Sequence, residues 1–203
     1  MRFSTSAAVI SAAVLSQVSA QDTPISVFTL KAWNPQSTLQ GQAVNAAGRA
    51  FYLGLESPAT YCPLTTVDSC PAGNETVVYE GGMSLAVVVP GGQMTYVETS
   101  GAVGFTQAHS ASVPAGAYIG GFTTYTTLDG NGANQTIVSW ETPGYPTFAG
   151  LVACPKTPVY VDASATHQIY GRTPGFNQTN CVELKGLIAV GQPNSDAGAW
   201  QYT

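Results

Sequence analysis

His109 and His167 are the only imidazoles in the chain, so a histidine-based acid–base or nucleophilic site must use one of them, and a pair of carboxylates is the other candidate considered. A Ser-His-Asp triad is numerically available. No nucleophile elbow is present to carry its serine, and the nearest approach is Gly82-Met83-Ser84-Leu85-Ala86. That segment lacks the second glycine of a nucleophile elbow and runs into an apolar, strand-like stretch. His109, within Gln107-Ala108-His109-Ser110, reads as a loop or strand-edge residue, and His167 alternates with Ile169 on a strand face. Two carboxylates ~5–10 Å apart would suit glycoside hydrolysis. Glu98 and Glu141, each beside an aromatic-bearing strand, are the candidates, against the plainer reading of solvated surface acids.

Metal chemistry has little to work with. No CxxC or HxxxH spacing occurs, so a zinc site is not expected, nor is any cofactor. A copper-binding histidine brace needs histidine at the mature N-terminus, and the cleavage site described below leaves Gln21 there. The four cysteines, Cys62, Cys70, Cys154 and Cys181, are expected to form two disulfides. Of three connectivities, Cys62–Cys70 with Cys154–Cys181 is favoured because each closes a local loop. Sugar binding is the remaining chemistry. Trp33, Trp140 and Trp200 offer flat apolar faces, and Trp140, followed by Tyr145 past a Pro-Gly turn, is the best candidate platform. The competing reading of each is an ordinary core or rim aromatic.

The compartment follows from the first twenty residues. Arg2, the apolar Ala7–Val18 stretch and the small-x-small pattern Val18-Ser19-Ala20 make residues 1–20 a secretory signal peptide. Its apolar part is shorter than the ~20 residues that a membrane span needs, and no later stretch replaces it. Residues 21–203 show no linker, charge block or shift in composition, so one domain is expected. The net charge is −5 with no basic patch, which argues against nucleic acid and anionic membrane surfaces. Only 8% of residues are charged, against ~25% in ordinary soluble domains. Solubility must come from neutral polar groups and attached sugar. Sequons at Asn74, Asn134 and Asn177, all without proline in the middle, support a glycoprotein. The polar C-terminal residues do not make a GPI signal, so retention at a wall would be non-covalent, through polysaccharide or wall proteins.

Positioning these residues falls to short strands. Leu85–Val89 is an unbroken β-branched run closed by Pro90-Gly91-Gly92, and it is predicted as the central strand of an antiparallel meander continuing through Met94–Glu98 to Ala102–Phe105. Around it lie Ile25–Ala32, a hairpin with Ala46–Arg49 as its connection, and Thr76–Tyr79. Beyond it come Ala117–Ile119, Phe122–Thr127, Thr136–Trp140, Phe148–Ala153, Val159–Val161, His167–Tyr170, Leu184–Val190 and Ala199–Tyr202. About a dozen short strands, with turns every ~8–12 residues and no helical period, predict an all-β antiparallel sandwich or closed barrel, a β-trefoil-like barrel included.

Five segments also carry a family resemblance: Tyr61-Cys62-Pro63, Pro90-Gly91-Gly92-Gln93, Gln107-Ala108-His109-Ser110, Ala153-Cys154-Pro155 and Ala199-Trp200-Gln201-Tyr202. Val44-Asn45-Ala46 and Phe51-Tyr52-Leu53-Gly54 fit the same pattern. In their order and spacing the chain resembles the fungal PhiA-type cell-wall proteins, over most of its mature length. The resemblance implies a secreted, non-enzymatic wall glycoprotein linked to phialide and conidium development and to stress protection, with allergenic members. It carries over no catalytic residue. A carbohydrate-binding module is the alternative reading, and a small glycoside hydrolase stands third.

Overall fold

Every regular element is a β-strand among the residues that the computed structural model describes, which are 27–63, 70–81, 83–159, 165–192 and 197–203. The signal segment 1–20, and Tyr160 and Val161 of one expected strand, lie outside these residues. In chain order the strands are β1 (Val27–Trp33), β2 (Asn45–Ala47), β3 (Ala50–Leu53), β4 (Thr60–Tyr61), β5 (Val77–Tyr79), β6 (Thr95–Val97) and β7 (Val103–Phe105). They continue with β8 (Phe122–Leu128), β9 (Asn134–Trp140), β10 (Leu151–Pro155), β11 (His167–Gly171), β12 (Val182–Leu184), β13 (Gly186–Gly191) and β14 (Gln201–Tyr202).

All strand pairings are antiparallel and make two main sheets and a two-stranded ribbon of β4 and β14. One has five strands in the order β5-β1-β13-β9-β8; the other has seven, β12-β10-β11-β3-β7-β6, with β2 on the free side of β3. Neither closes on itself, so the fold is a sandwich, not a barrel or a trefoil. The alternation of strands supplies the reason. Phe28, Leu30, Ala32, Val138, Trp140 and Leu187 point inward from the first sheet. Phe51, Leu53, Val97, Phe105, Leu151 and Ile169 meet them from the second, with Phe51 and Phe105 edge to face at 5.4 Å. One continuous core results.

Local turn chemistry matches the strands it joins. Gly48 and Arg49 both have positive φ (56° and 61°), which makes the β2–β3 connection a two-residue turn of the type I′ class. The β8–β9 hairpin closes on Asp129, whose Oδ1 accepts hydrogen bonds from the backbone of Asn131 (2.8 Å) and Ala133 (2.9 Å).

Two sequence expectations need correction. Leu85–Val89 is central but is not a ladder strand. Leu85 donates to Gln93, Ala86 to Val77, Val88 to Ala199 and Val89 to Trp200, so its backbone is shared among three other segments through isolated bridges. Leu85, Ala86 and Val89 are buried while Val88 is exposed, and the hydrogen bonds of the run change partner every residue or two. Leu184–Val190 is two strands. β12 belongs to the seven-stranded sheet and β13 to the five-stranded one, and the chain changes layer at Lys185-Gly186. Gly186 has φ 144°, and a Cβ there would run into Ile137 and the carbonyl of Val138, so the corner requires glycine.

The last strand is locked by a buried polar network. Tyr202 donates its hydroxyl to the Glu75 carbonyl (2.7 Å) and accepts from the Val77 N–H (3.0 Å). Gln93 accepts from the Tyr202 N–H (2.8 Å) and donates to the Tyr202 and Thr106 carbonyls (both 2.9 Å). Burial, opposed by the Val77 bond and reinforced by Glu75, pushes the Tyr202 hydroxyl up to about 12. The unfolded phenol titrates near ~10, so its contribution is fully present below that pH and is lost as pH rises towards about 12. Tyr202→Phe should cost about 1–3 kcal/mol near neutrality, because Val77 N–H is left buried without a partner. It should also flatten the alkaline part of the stability curve. Denaturant unfolding of both proteins across that pH range is the check.

Candidate functional site

The outward faces of the seven-stranded sheet carry the residues most suited to binding. In Ala50-Phe51-Tyr52-Leu53, Phe51 and Leu53 enter the core and Tyr52 points away. In Gln168-Ile169-Tyr170 only Ile169 enters, and in β6 Val97 enters while Tyr96 does not. Period-2 alternation on three strands thus delivers three tyrosines to one outer face. Tyr52 and Gln168 are directly paired in the ladder. Tyr96 lies against Gly104, where an added Cβ would sit 2.9 Å from the ring.

These residues line a cleft of about 1020 Å³, at the upper end of the ~300–1,000 Å³ of typical ligand sites. The β2–β3 turn with Arg49, Glu98 just past β6, and Lys156 past β10 border it. The three phenols are held neutral well into the alkaline range. Burial raises all three; Tyr170 adds to this at Tyr52, and Glu98 adds to it at Tyr96 and Tyr170, while Arg49 works the other way at Tyr96. The Tyr170 hydroxyl donates to Gln168 Oε1 (3.1 Å). Ser100 donates to the Glu98 carboxylate (3.2 Å).

The residues singled out in the sequence fall elsewhere. Trp140 is 1% exposed and belongs to the core, so it is not a platform. Its indole lies in space left by glycines: an added Cβ on Gly171 would sit 2.6 Å from the ring, and one on Gly121 3.1 Å from Nε1. Tyr118 and Phe122 flank it, and Nε1 donates to the Gly120 carbonyl (3.3 Å). Tyr145 is half exposed, but it meets Tyr118 edge-on at 83° and does not extend a shared flat surface with Trp140. Trp33 and Trp200 are half-buried.

Glu98 borders the cleft and is its sole acidic side chain among the described lining residues; Glu141 is exposed at an isolated bridge to Ala149 and does not line it. His109 is exposed in a turn at positive φ, and His167 sits on β11 opposite Pro155 with Nδ1 buried and unpartnered. Neither histidine lines the cleft. Among the described residues no cluster of three or more potential metal ligands forms.

Both disulfides join the expected partners, Cys62 to Cys70 and Cys154 to Cys181. Asn74, Asn134 and Asn177 are all exposed. Thr76, the hydroxyl residue of the first sequon, is buried with its oxygen accepting from the Ala46 N–H (2.8 Å). The sequence reading missed the tyrosine cleft. Its signal was present in Phe51-Tyr52-Leu53 and Ile169-Tyr170, where apolar residues occupy both faces of a strand and so report cover on both.

Fold and site together define a disulfide-clipped β-sandwich with a polar cleft on the outside of one sheet. The chain belongs to the PhiA-like secreted protein family, whose profile matches residues 28–203. A protein of Arthroderma benhamiae described as an uncharacterized secreted protein is 43% identical over 165 residues, covering 79% of this chain and 77% of that one. No solved structure matches. Among the described residues no helix is long and apolar enough to cross a membrane.

Proposed function

We propose that this protein is a non-enzymatic glycoprotein of the fungal cell wall, N-glycosylated at Asn74, Asn134 and Asn177 and retained by non-covalent contact with wall polysaccharide. The observation that carries this reading is the exposure of all three sequon asparagines on a chain with only 8% charged residues. Attached sugar supplies the hydration that charge does not. Because Thr76 is later tied into the fold, glycan attachment at Asn74 precedes folding. Family membership supports a place in phialide and conidium development and in stress protection. Among the described lining residues no second carboxylate accompanies Glu98, so the cleft gives a glycosidase reading no positive support.

All four cysteines are paired within the chain, so retention does not draw on intermolecular disulfides. Hot detergent without reductant should therefore extract most of the protein from isolated walls, and high salt alone should extract little. The extracted protein should lose apparent mass on enzymatic removal of N-glycans. Release only after glucanase digestion would indicate a covalent glycan link, and an unchanged mass would remove the glycoprotein reading.

A further inference from the structure

We propose that the cleft on the outer face of the seven-stranded sheet binds a neutral, polyhydroxylated ligand, a short stretch of wall polysaccharide, through Tyr52, Tyr96, Tyr170 and Gln168. This deepens the proposal above and rests on its claim that the protein associates with polysaccharide.

The fold leaves hydrogen-bonding capacity unused at the cleft. Neither the Tyr52 nor the Tyr96 hydroxyl has a hydrogen-bond partner among the described residues, yet neither oxygen is sealed from the cleft. Two such hydroxyls opening onto one cleft are placed to meet a ligand or water. The Tyr170 proton is committed to Gln168 Oε1, which leaves the phenol oxygen as an acceptor and both hydrogens of the Gln168 amide as donors. The site therefore presents donors and acceptors side by side, which is the pattern that vicinal sugar hydroxyls satisfy.

The charged groups at the cleft are of mixed sign, Glu98 beside Tyr96 and Tyr170 against Arg49 beside Tyr96 and Lys156 at the rim, so no single-sign patch selects a charged ligand over a neutral one. A lipid chain would leave the phenol and amide groups unpaired. A peptide added as a strand needs an open sheet edge, whereas this site lies on a face whose strands are already paired. The three tyrosine side chains are 3–5% exposed, so recognition works through their hydroxyl ends and not by stacking on their faces.

The test uses the secreted, glycosylated full chain. Wild type, Tyr52→Phe/Tyr96→Phe, and Tyr125→Phe as a control outside the cleft are titrated calorimetrically with a soluble β-1,3-glucan oligosaccharide and, separately, with an N-acetylated chito-oligosaccharide. The same proteins are pulled down on insoluble wall material. Each lost hydroxyl should weaken binding about five-fold, so the double variant should bind about ten- to thirty-fold more weakly. Its unfolding midpoint should stay put, because neither hydroxyl serves the fold. Whichever oligosaccharide binds identifies the source of the ligand. If wild type sediments with walls and the double variant does so equally well, the cleft assignment is overturned and the retention reading stands. If wild type binds neither insoluble walls nor oligosaccharide, the retention reading falls and takes the cleft with it. A fall in midpoint matching the loss of binding would also overturn the assignment, since it would give the hydroxyls a structural role.

Discussion

Trp140→Ala should destabilise the protein by about 3–5 kcal/mol, the range for deleting a fully buried large aromatic side chain. The indole is enclosed from several directions. Tyr118 meets it at 6.4 Å, Phe122 at 6.3 Å, and Gly171 approaches from the neighbouring sheet. Glycine backbones cannot swing side chains into a void, so the space relaxes little and most of the cavity cost remains. Tyr145→Ala, at a half-exposed ring, should cost well under that, within about 1 kcal/mol. Urea unfolding of the two variants beside wild type separates a core residue from a surface platform. A Trp140→Ala variant of native stability with selectively impaired polysaccharide binding would restore the platform reading.

The second large effect concerns the Cys154–Cys181 bond, which spans 27 residues of sequence. Loop-closure entropy puts its contribution at about 3.5 kcal/mol, against about 2.5 kcal/mol for Cys62–Cys70 with its separation of 8. Location reinforces the ranking. Cys154 is buried on the outer side of β10 with Val152 and Tyr170, and Phe176 and Cys181 pack over them. The bond therefore pins the segment that covers Tyr170, which Phe176 meets edge to face at 6.1 Å. Cys154→Ser/Cys181→Ser should lose about 3–4 kcal/mol in denaturant unfolding, clearly more than Cys62→Ser/Cys70→Ser. Equal losses from the two double variants, or a loss below about 1 kcal/mol for the first, would contradict this account.

Much of the scaffold was legible because its causes are local. Phe122–Thr127 and Thr136–Trp140 are β-prone runs on either side of Asp129-Gly130-Asn131-Gly132, a strong turn, and they form the hairpin, with Phe122–Leu128 paired to Asn134–Trp140. Gly48 can take a positive φ without cost, and this shortened a four-residue connection to two, with Arg49 carried along into the same conformation. Cysteines with few residues between them pair by proximity, and they do so here.

Tertiary structure decided what lies opposite each face. Trp140 precedes a Pro-Gly turn and resembles a surface aromatic in its own sequence; it is core because Gly171, more than thirty residues later, leaves room for its ring. Leu85–Val89 has the composition of a sheet centre, but its neighbours come from Val77, Gln93 and Ala199–Trp200, and no local pattern names them. Lys185-Gly186 interrupts an apolar stretch that reads as continuous, because the two sheets require a corner there. The cleft draws Tyr52, Tyr96 and Tyr170 from three strands far apart in the chain. By itself the sequence determined which residues alternate, turn and cross-link, since those depend on neighbours a few positions away. Burial and the meeting of the tyrosines depend on contacts between distant segments, and only the packing of two sheets sets those.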